Sequence, residues 1–211
     1  MMNRKGVQFV LATPPCQGFS TLGKNKKQRE IQKDNRNHLV WEVVDIVRKC
    51  PSVKYVLIEN VPRFLKMRVG EESIVEVMAR RLPSFNVTAK IYNCADFAIP
   101  QSRKRLIVKI WKKECDWPDP SPTTRNRHIT MRQCIGFLPS LESGESSCIP
   151  WHYARKHTQA HVQMMRRTPE GEKAKNSIGF HNACSRMRWE KPANTISIRN
   201  DAITSNRTVH P

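Results

Sequence analysis

The chain has 211 residues, and its 37 Lys and Arg residues against 18 Asp and Glu residues give it a formal net charge of +19. A charge of this size favours a polyanionic partner such as DNA or RNA, and no long basic amphipathic helix points to a membrane surface. Its seven cysteines are scattered without a Cys-x-x-Cys pair, which argues against a zinc ribbon or disulfide scaffold and indicates a reducing compartment. Since no apolar run is long enough for a signal peptide or a membrane span, we expect a soluble cytoplasmic protein.

The first predicted strand, residues 7–12, leads into the heptapeptide Pro14-Pro15-Cys16-Gln17-Gly18-Phe19-Ser20. Each proline lacks a donor N–H and fixes φ, so the chain leaves the sheet where the cysteine stands. Open α/β sheets bind their ligands at the carboxyl ends of the strands. Cys16 is therefore a candidate nucleophile, although most cysteines of intracellular proteins are inert core residues.

Residues 21–38 form a predicted loop in which Lys and Arg outnumber Glu and Asp. A run of charge is usually just a solvated loop. Directly after a candidate nucleophile, however, such a loop can close over nucleic acid while its cations meet phosphates. Lys24 and Arg36 are the candidate contacts with nucleic acid in this loop.

The spacing of apolar residues predicts the next elements along the chain. Two helices are expected over residues 38–50 and 72–82, and three strands over residues 55–58, 87–92 and 106–111. This order of strand, helix, strand, helix and paired strands favours an α/β fold with a doubly wound sheet.

Glu59 and Asn60 follow the strand over residues 55–58. A carboxylate in this position is sometimes only a helix cap or a surface charge. Beside Asn60 and Pro62 at the end of a buried strand, it is a costly arrangement unless the chemistry of the protein uses it. In this prediction Cys16 and Glu59 end adjacent parallel strands, so both should face the same crevice.

A third polar motif, Gln101-Ser102-Arg103-Lys104-Arg105, precedes the last predicted strand. In isolation it is typical of a basic surface turn. A guanidinium group is nevertheless suited to holding a base, because it stays charged and presents planar donors.

These motifs together resemble those of the C5 cytosine-specific DNA methyltransferases. Pro14 to Ser20 resembles the nucleophile motif of the family, Glu59-Asn60-Val61 its Glu-Asn-Val motif, and Gln101 to Arg105 its Gln-x-Arg-x-Arg signature, in the family's order. The resemblance covers residues 7–111 well. Residues 185–196 are similar to a stretch late in the target-recognition region of many bacterial members, which is a softer match.

The resemblance implies a covalent reaction on a cytosine that is flipped out of duplex DNA. Cys16 would attack C6, Glu59 would contact N3 and the exocyclic amine, Arg105 would hold O2, and Arg103 would help to fix the site. S-adenosylmethionine is the implied methyl donor, and Pro14 and Leu39 match residues that neighbour it in the family. The implied contacts with substrate or DNA are Pro15, Ser20, Asn60, Lys24 and Arg36.

The second half of the chain is less informative. Residues 118–122 are a predicted linker, so we expect a partial catalytic methyltransferase domain over residues 1–117 and a target-recognition region over residues 118–211. The latter is polar, basic and irregular. Three histidines in it (His152, His157 and His161) fit no standard zinc spacing, so contacts with phosphates or bases are favoured and no metal is expected.

The sequence also departs from the family pattern. Members of the family bind the cofactor mainly through a Phe-x-Gly-x-Gly turn and an acidic residue before the Pro-Cys motif, but only thirteen residues precede Pro14 here. The final motifs of the family are missing as well. We therefore expect an incomplete sheet with an open edge and a half-built cofactor pocket.

Three interpretations remain open. The chain is part of a cytosine methyltransferase of a restriction-modification system, completed by further segments or by a complementing methyltransferase chain. Alternatively, it is a truncated remnant that binds nucleic acid without catalysis. The third interpretation is an RNA methyltransferase with the same chemistry, against which Gly18 and Ser20 count.

Overall fold

A computed structural model of the chain describes residues 6–15, 39–175, 184–196 and 208–209. By their contacts the residues group into two units, one of residues 1–93 and 104–121 and the other of residues 94–103 and 122–211. The segment 94–103 thus groups with the second half of the chain. The sequence-based boundary at residue 117 stays a prediction about the division of function.

The first unit is built on a mixed sheet of four strands, β1 (Phe9–Ala12), β2 (Tyr55–Asn60), β5 (Phe85–Asn93) and β7 (Lys104–Lys112). Their order in the sheet is β1-β2-β7-β5. The strands β1 and β2 are parallel, with Ala12 opposite Ile58, whereas β7 runs antiparallel to both β2 and β5. The predicted adjacent parallel strands are therefore confirmed, and so is the pair of strands that follows them.

Two helices pack on one face of this sheet, α1 (Leu39–Lys49) and α2 (Ile74–Arg81). Ser73 caps the N-terminus of α2: its hydroxyl accepts from the Glu76 N–H, while the Glu76 carboxylate accepts from the Ser73 N–H. The bond from the Ser73 backbone lowers the pKa of Glu76. This reciprocal capping satisfies two helix-end N–H groups and sets the start of the helix directly before Ile74, its first core residue.

The hydrophobic core lies between these helices and the sheet. Alternate residues of β2 and β7 point into it, and each is less than 1% exposed: Val56, Ile58, Leu106, Val108 and Ile110. Helix α1 contributes Val40, Val44 and Val47, and helix α2 contributes Ile74 and Met78. Side chains alternate across a strand, so the same strands send their other residues to the opposite face of the sheet.

That opposite face is covered at one end by Trp117. The Trp117 ring makes edge-to-face contacts with Phe9, Tyr55 and Trp111 at centroid distances of 6.1, 5.5 and 6.3 Å. Further along the same face Leu11 is 64% exposed. Within the described residues, the fold is thus an α/β sheet with one face buried and the other only partly covered, which confirms the predicted incomplete sheet.

The second unit is less irregular than the sequence indicates, because it contains two short helices, α3 (Met131–Ile135) and α4 (Gln159–Arg166). Thr130 caps α3 in a capping box with Gln133, and Thr158 caps α4 by accepting from the His161 N–H. The Thr-x-x-Gln spacing at residues 130–133 is a recognisable start signal, but both helices are too short for their apolar periodicity to stand out.

Short paired strands complete the described structure. They are β3 (Arg68–Val69) with β4 (Glu72–Ser73) in the first unit, and β6 (Gln101–Ser102) with β9 (Ala193–Asn194) and β8 (Ser185–Arg186) with β10 (Thr208–Val209) in the second. Among the described residues, none of the helices has the length and apolar character needed to cross a membrane.

Candidate active site

The strand β2 continues through Glu59 and Asn60, two residues further than predicted. Alternation along the strand then sends the two side chains to opposite faces. Asn60 points into the core and is 4% exposed, whereas Glu59 lies on the other face and is partly exposed. The two neighbouring residues therefore have different surroundings.

Asn60 ties the ends of the two parallel strands together. Its Nδ2 donates to the Pro14 carbonyl oxygen at 3.0 Å, and its Oδ1 accepts from the Val61 N–H at 2.9 Å. Both polar ends of the buried amide are thereby satisfied, as a buried side chain requires. These contacts favour a positioning role for Asn60. The direct contact with DNA that the sequence predicts for Asn60 stays a prediction.

Glu59 forms an ion pair with Arg105, whose Nε lies 2.8 Å from the Glu59 carboxylate. The register explains this contact. Glu59 is opposite Ile107 in the β2–β7 pair, and Arg105, two residues before Ile107, shares its face and is a diagonal neighbour of Glu59. The side chains of Glu59 and Arg105 are 33% and 21% exposed, so solvent and ligands can reach both.

The pair offers complementary hydrogen-bonding groups. A carboxylate accepts, and when protonated it can also donate, whereas the guanidinium group only donates. The Nη1 of Arg105 also donates to the Lys104 carbonyl oxygen at 2.8 Å, which restricts the orientation of the planar group. Such an arrangement can bind a planar ligand edge that carries both a donor and acceptors, and the edge of a cytosine does.

The proline turn at the end of β1 is described as far as Pro15. Pro14 is half-buried and Pro15 is exposed. Four of the predicted site residues lie outside the described residues: Cys16, Ser20, Lys24 and Arg36. Their roles stay predictions.

Leu39, the predicted neighbour of the cofactor, is the first residue of α1 and is 41% exposed. The helix α1 connects two parallel strands, so its first turn lies at the edge of the sheet where β1 ends. Leu39 and Pro14 therefore belong to the same edge of the first unit.

Arg103 belongs to the second unit, where its backbone is well fixed. Its N–H donates to the Gln101 carbonyl oxygen, and its own carbonyl oxygen accepts from the Cys94 N–H, both at 3.0 Å. Residues of the late stretch hold this segment from the other side, since β9 pairs with β6 and the Thr195 hydroxyl donates to the Ser102 carbonyl oxygen at 3.0 Å. The role of the Arg103 side chain stays a prediction.

Sequence reasoning missed a charged cluster around Lys109 in the first unit. Lys109 is 6% exposed, and its ammonium group binds the Asp119 carboxylate and the Trp117 carbonyl oxygen. Asp119 also accepts from the Tyr92 hydroxyl at 2.9 Å and from the Lys90 ammonium at 3.1 Å. The sequence signal for this cluster is Lys109 itself, a lysine inside the otherwise apolar strand predicted over residues 106–111.

The contacts of the cluster shift two pKa values. The hydrogen bond from Lys109, with those from Tyr92 and Lys90, holds the pKa of Asp119 far below its ordinary value of 3.8. Burial, and then the bond to Asp119, raises the pKa of Tyr92 to about 12. The cluster fastens residues 117–119 onto the sheet and lies among structural aromatic rings.

The three histidines considered for metal binding have other contacts. The His157 and His161 rings stack at a centroid distance of 4.9 Å, and Nδ1 of His152 lies 2.8 Å from the Ser147 hydroxyl oxygen. In the part of the chain that the structure describes, no group of three or more His, Cys, Asp or Glu side chains could hold a metal ion.

Comparisons with known proteins identify the family of the chain. The family model for C-5 cytosine-specific DNA methylase matches residues 2–210. Type II methyltransferase M1.HgaI of Avibacterium volantium is 38% identical over 223 residues, which cover 97% of this chain and 61% of that protein. Type II methyltransferase M1.HphI of Haemophilus parahaemolyticus is 37% identical over 169 residues, covering 78% of this chain and 43% of that protein.

A solved structure shares the fold. The crystal structure of an Escherichia coli DNA modification methyltransferase encoded within a prophage superposes with a TM-score of 0.67 at 16% identity, covering 92% of this chain and 63% of that one. The chain thus spans only 61% and 43% of the length of the two curated relatives. Because the family model matches nearly every residue, the chain belongs to the C-5 cytosine-specific DNA methylases.

Proposed function

We propose that this chain takes part in the methylation of cytosine at C5 in DNA, as the modification component of a type II restriction-modification system. The observation that carries the proposal is the Glu59–Arg105 pair, which lies on the sheet beside the Asn60–Pro14 tie that ends β1. Cys16 follows Pro14 by two residues in the sequence. The family membership of the chain and the type II systems named for its relatives support the choice of substrate.

In the proposed reaction the substrate is a cytosine flipped out of the duplex, because C5 and C6 are inaccessible within the stack. The Cys16 thiolate forms a bond to C6, and the electron pair of the C5–C6 double bond moves toward C5. Glu59 binds the exocyclic amine and supports the proton at N3, and Arg105 donates to O2. After C5 has been methylated, loss of its proton and cleavage of the Sγ–C6 bond release 5-methylcytosine.

The described residues at the end of β1 fit S-adenosylmethionine as the methyl donor, which supplies an electrophilic methyl group when bound. Pro14 presents a backbone turn that Asn60 already fixes, and Leu39 presents an exposed apolar side chain at the same edge. A fixed backbone and an apolar contact suit a ligand that has both polar and apolar parts. These two residues would hold only part of it.

We further propose that the activity requires segments or a complementing chain that extend the sheet beyond β1. In the described residues β1 pairs only with β2, so its other edge is open. Phe9 and Leu11 on the same strand are 51% and 64% exposed. An open edge beside exposed apolar side chains favours association with another strand and a covering layer.

The proposal is tested by trapping the covalent adduct. The chain is incubated with S-adenosylmethionine and a duplex carrying 5-fluorocytosine, alone and with a polypeptide that supplies the missing family motifs, and is then run on a denaturing gel. Fluorine cannot leave as a cation, so a completed methyl transfer freezes the adduct. We expect a shifted band with the complementing polypeptide, and its loss in Cys16→Ser.

Each other outcome has a definite meaning. A band with the chain alone would show that no complement is needed. Absence of a band in every condition, with DNA binding retained, would favour the non-catalytic remnant. A band with 5-fluorocytosine RNA in place of DNA would favour the RNA methyltransferase, and a band that survives Cys16→Ser would refute the nucleophile.

A further inference from the structure

A tight hairpin projects from the second unit around residues 146–153. Ser146 pairs with Tyr153 in an antiparallel bridge, and the Ser147 N–H donates to the His152 carbonyl oxygen at 3.1 Å. A four-residue turn closes the hairpin, since the His152 N–H donates to the Ile149 carbonyl oxygen at 3.1 Å. Trp151 lies in this turn, and its side chain is 93% exposed.

The backbone at Trp151 is in a costly conformation. Pro150 occupies the second position of the turn, and Trp151 occupies the third with φ at +66°. These are the features of a type II turn, in which glycine or asparagine is preferred at the third position. A bulky residue with positive φ costs about 1–3 kcal/mol. The exposed indole buries almost no apolar surface within the fold, so packing does not offset this cost. A binding partner explains the tryptophan better.

Hydrogen bonds fix the backbone of the hairpin that carries the indole. The Ser147 hydroxyl oxygen lies 2.8 Å from His152 Nδ1 and accepts from the Ile149 N–H at 3.1 Å. At the base of the hairpin, the Ala154 N–H donates to the Glu145 carbonyl oxygen at 2.7 Å. An aromatic side chain on a rigid support loses little entropy when it binds a partner.

The charges around the hairpin favour a polyanion. Residues 146–154 contain no acidic side chain, and Arg155 and Lys156 come next in the sequence. Glu142 at the base is bound by Arg166 at 2.7 Å, and the Glu145 carboxylate accepts from the Glu142 N–H at 2.7 Å. Both nearby carboxylates thus have partners within the unit, and the chain as a whole carries a net charge of +19.

We propose that Trp151 stacks on a base of the bound duplex DNA. This inference rests on the proposed function, because it takes DNA as the substrate. Aromatic side chains on basic surfaces stack on bases without regard to sequence, and apolar wedges can insert between base steps of a duplex. Tyr153, which is 65% exposed two residues further on, adds a second aromatic surface to the same hairpin.

The test compares the affinities of full-length variants for a fluorescently labelled duplex by anisotropy at several salt concentrations. Trp151→Gly is the informative variant, since glycine suits the turn and the change should leave thermal stability equal or higher. We expect Trp151→Gly and Trp151→Ala to weaken binding about tenfold, and Trp151→Phe to weaken it less. The slope of log affinity against log salt should not change, because no phosphate contact is removed.

Phe137 provides the matched control, because it is 77% exposed in the same unit but lies outside the hairpin. Phe137→Ala should bind the duplex as the unaltered chain does. Equal binding by Trp151→Gly and the unaltered chain would overturn the inference while leaving the proposed function intact. A lower mass in solution for Trp151→Gly, with unchanged DNA binding, would assign Trp151 to contact with a second copy. If the unaltered chain bound no duplex even with the complementing polypeptide present, the proposed substrate would itself be wrong.

Discussion

Asn60 and Glu59 show how adjacent side chains acquire different contacts. The alternation of a strand places Asn60 in the core, where it fixes the Pro14 carbonyl oxygen, and places Glu59 against Arg105 on the opposite face. One residue therefore holds the backbone that leads toward the candidate nucleophile. The other supplies the polar group proposed to bind the base.

Replacing Asn60 by Asp tests the positioning role. A carboxylate cannot donate to the Pro14 carbonyl oxygen and would repel it, although it can still accept from the Val61 N–H. Because the site is 4% exposed, we expect the free energy of unfolding to fall by about 1–3 kcal/mol. Denaturant unfolding measures this change. Asn126→Asp, at an exposed position, is the control and should change stability by less than about 0.5 kcal/mol.

Replacing Arg105 by Lys tests the proposed contact with the base. Lysine keeps the positive charge but lacks the planar set of donors, so formation of the trapped adduct should slow by about 100-fold. The ion pair with Glu59 is partly exposed, so stability should change by no more than about 1 kcal/mol.

The control for this variant is Arg80→Lys. Arg80 binds Glu72 through two hydrogen bonds on the exposed surface of α2 and β4. We expect the Arg80→Lys variant to form the adduct at the same rate as the unaltered chain. Equal rates for Arg105→Lys and Arg80→Lys would remove Arg105 from the proposed site.

Among the elements, the segment after β7 is held to the sheet by contacts rather than by regular structure. Trp117 covers the aromatic end of the exposed face, and Asp119 joins Lys109, Lys90 and Tyr92. The charge of the buried Lys109 is compensated only while this segment is in place. The cluster therefore couples the last residues of the first unit to the packing of its central strands.

This coupling predicts a pH dependence of stability. The folded state lowers the pKa of Asp119, so its contribution is complete above the ordinary value of 3.8 and is lost as the pH falls below it. The folded state raises the pKa of Tyr92 from 10.0 to about 12, so that contribution is complete below pH 10 and is lost as the pH rises toward 12.

Thermal unfolding of Asp119→Asn across pH provides the measurement. At neutral pH we expect a loss of about 1–3 kcal/mol, because Lys109 loses its carboxylate partner. The difference from the unaltered chain should be constant between pH 5 and pH 8 and should shrink below about pH 4. A difference that persists unchanged at pH 2 would show that the charge of Asp119 does not stabilise the fold.

For the molecule as a whole, the partly covered sheet predicts self-association. Leu11 is 64% exposed next to the open edge of β1, and such a surface pairs readily with other chains. Leu11→Lys should therefore shift the chain toward the monomer in sedimentation experiments, with stability changed by less than about 0.5 kcal/mol. Ile99→Lys, at a 46% exposed position in the second unit, should leave the association unchanged.

The order of the elements in the first unit followed from local patterns. Short apolar runs predicted all four strands of the sheet, and helical spacing of apolar residues predicted both helices. Both patterns depend only on residues that are close in the sequence. The extension of β2 through Glu59 and Asn60 was missed because polar residues are uncommon in buried strands. The capped helices α3 and α4 were missed because they are too short to show periodicity.

The family and the three motifs are contained in the residue order, since Pro14 to Ser20, Glu59-Asn60-Val61 and Gln101 to Arg105 are contiguous strings. The contacts made by the motifs depend on folding, because they join residues far apart in the chain. Asn60 reaches Pro14 across 46 residues, and Glu59 reaches Arg105 only because the register of β2 and β7 makes them diagonal neighbours. Likewise, the exposure of Trp151 depends on what the rest of the chain covers, which no local pattern encodes.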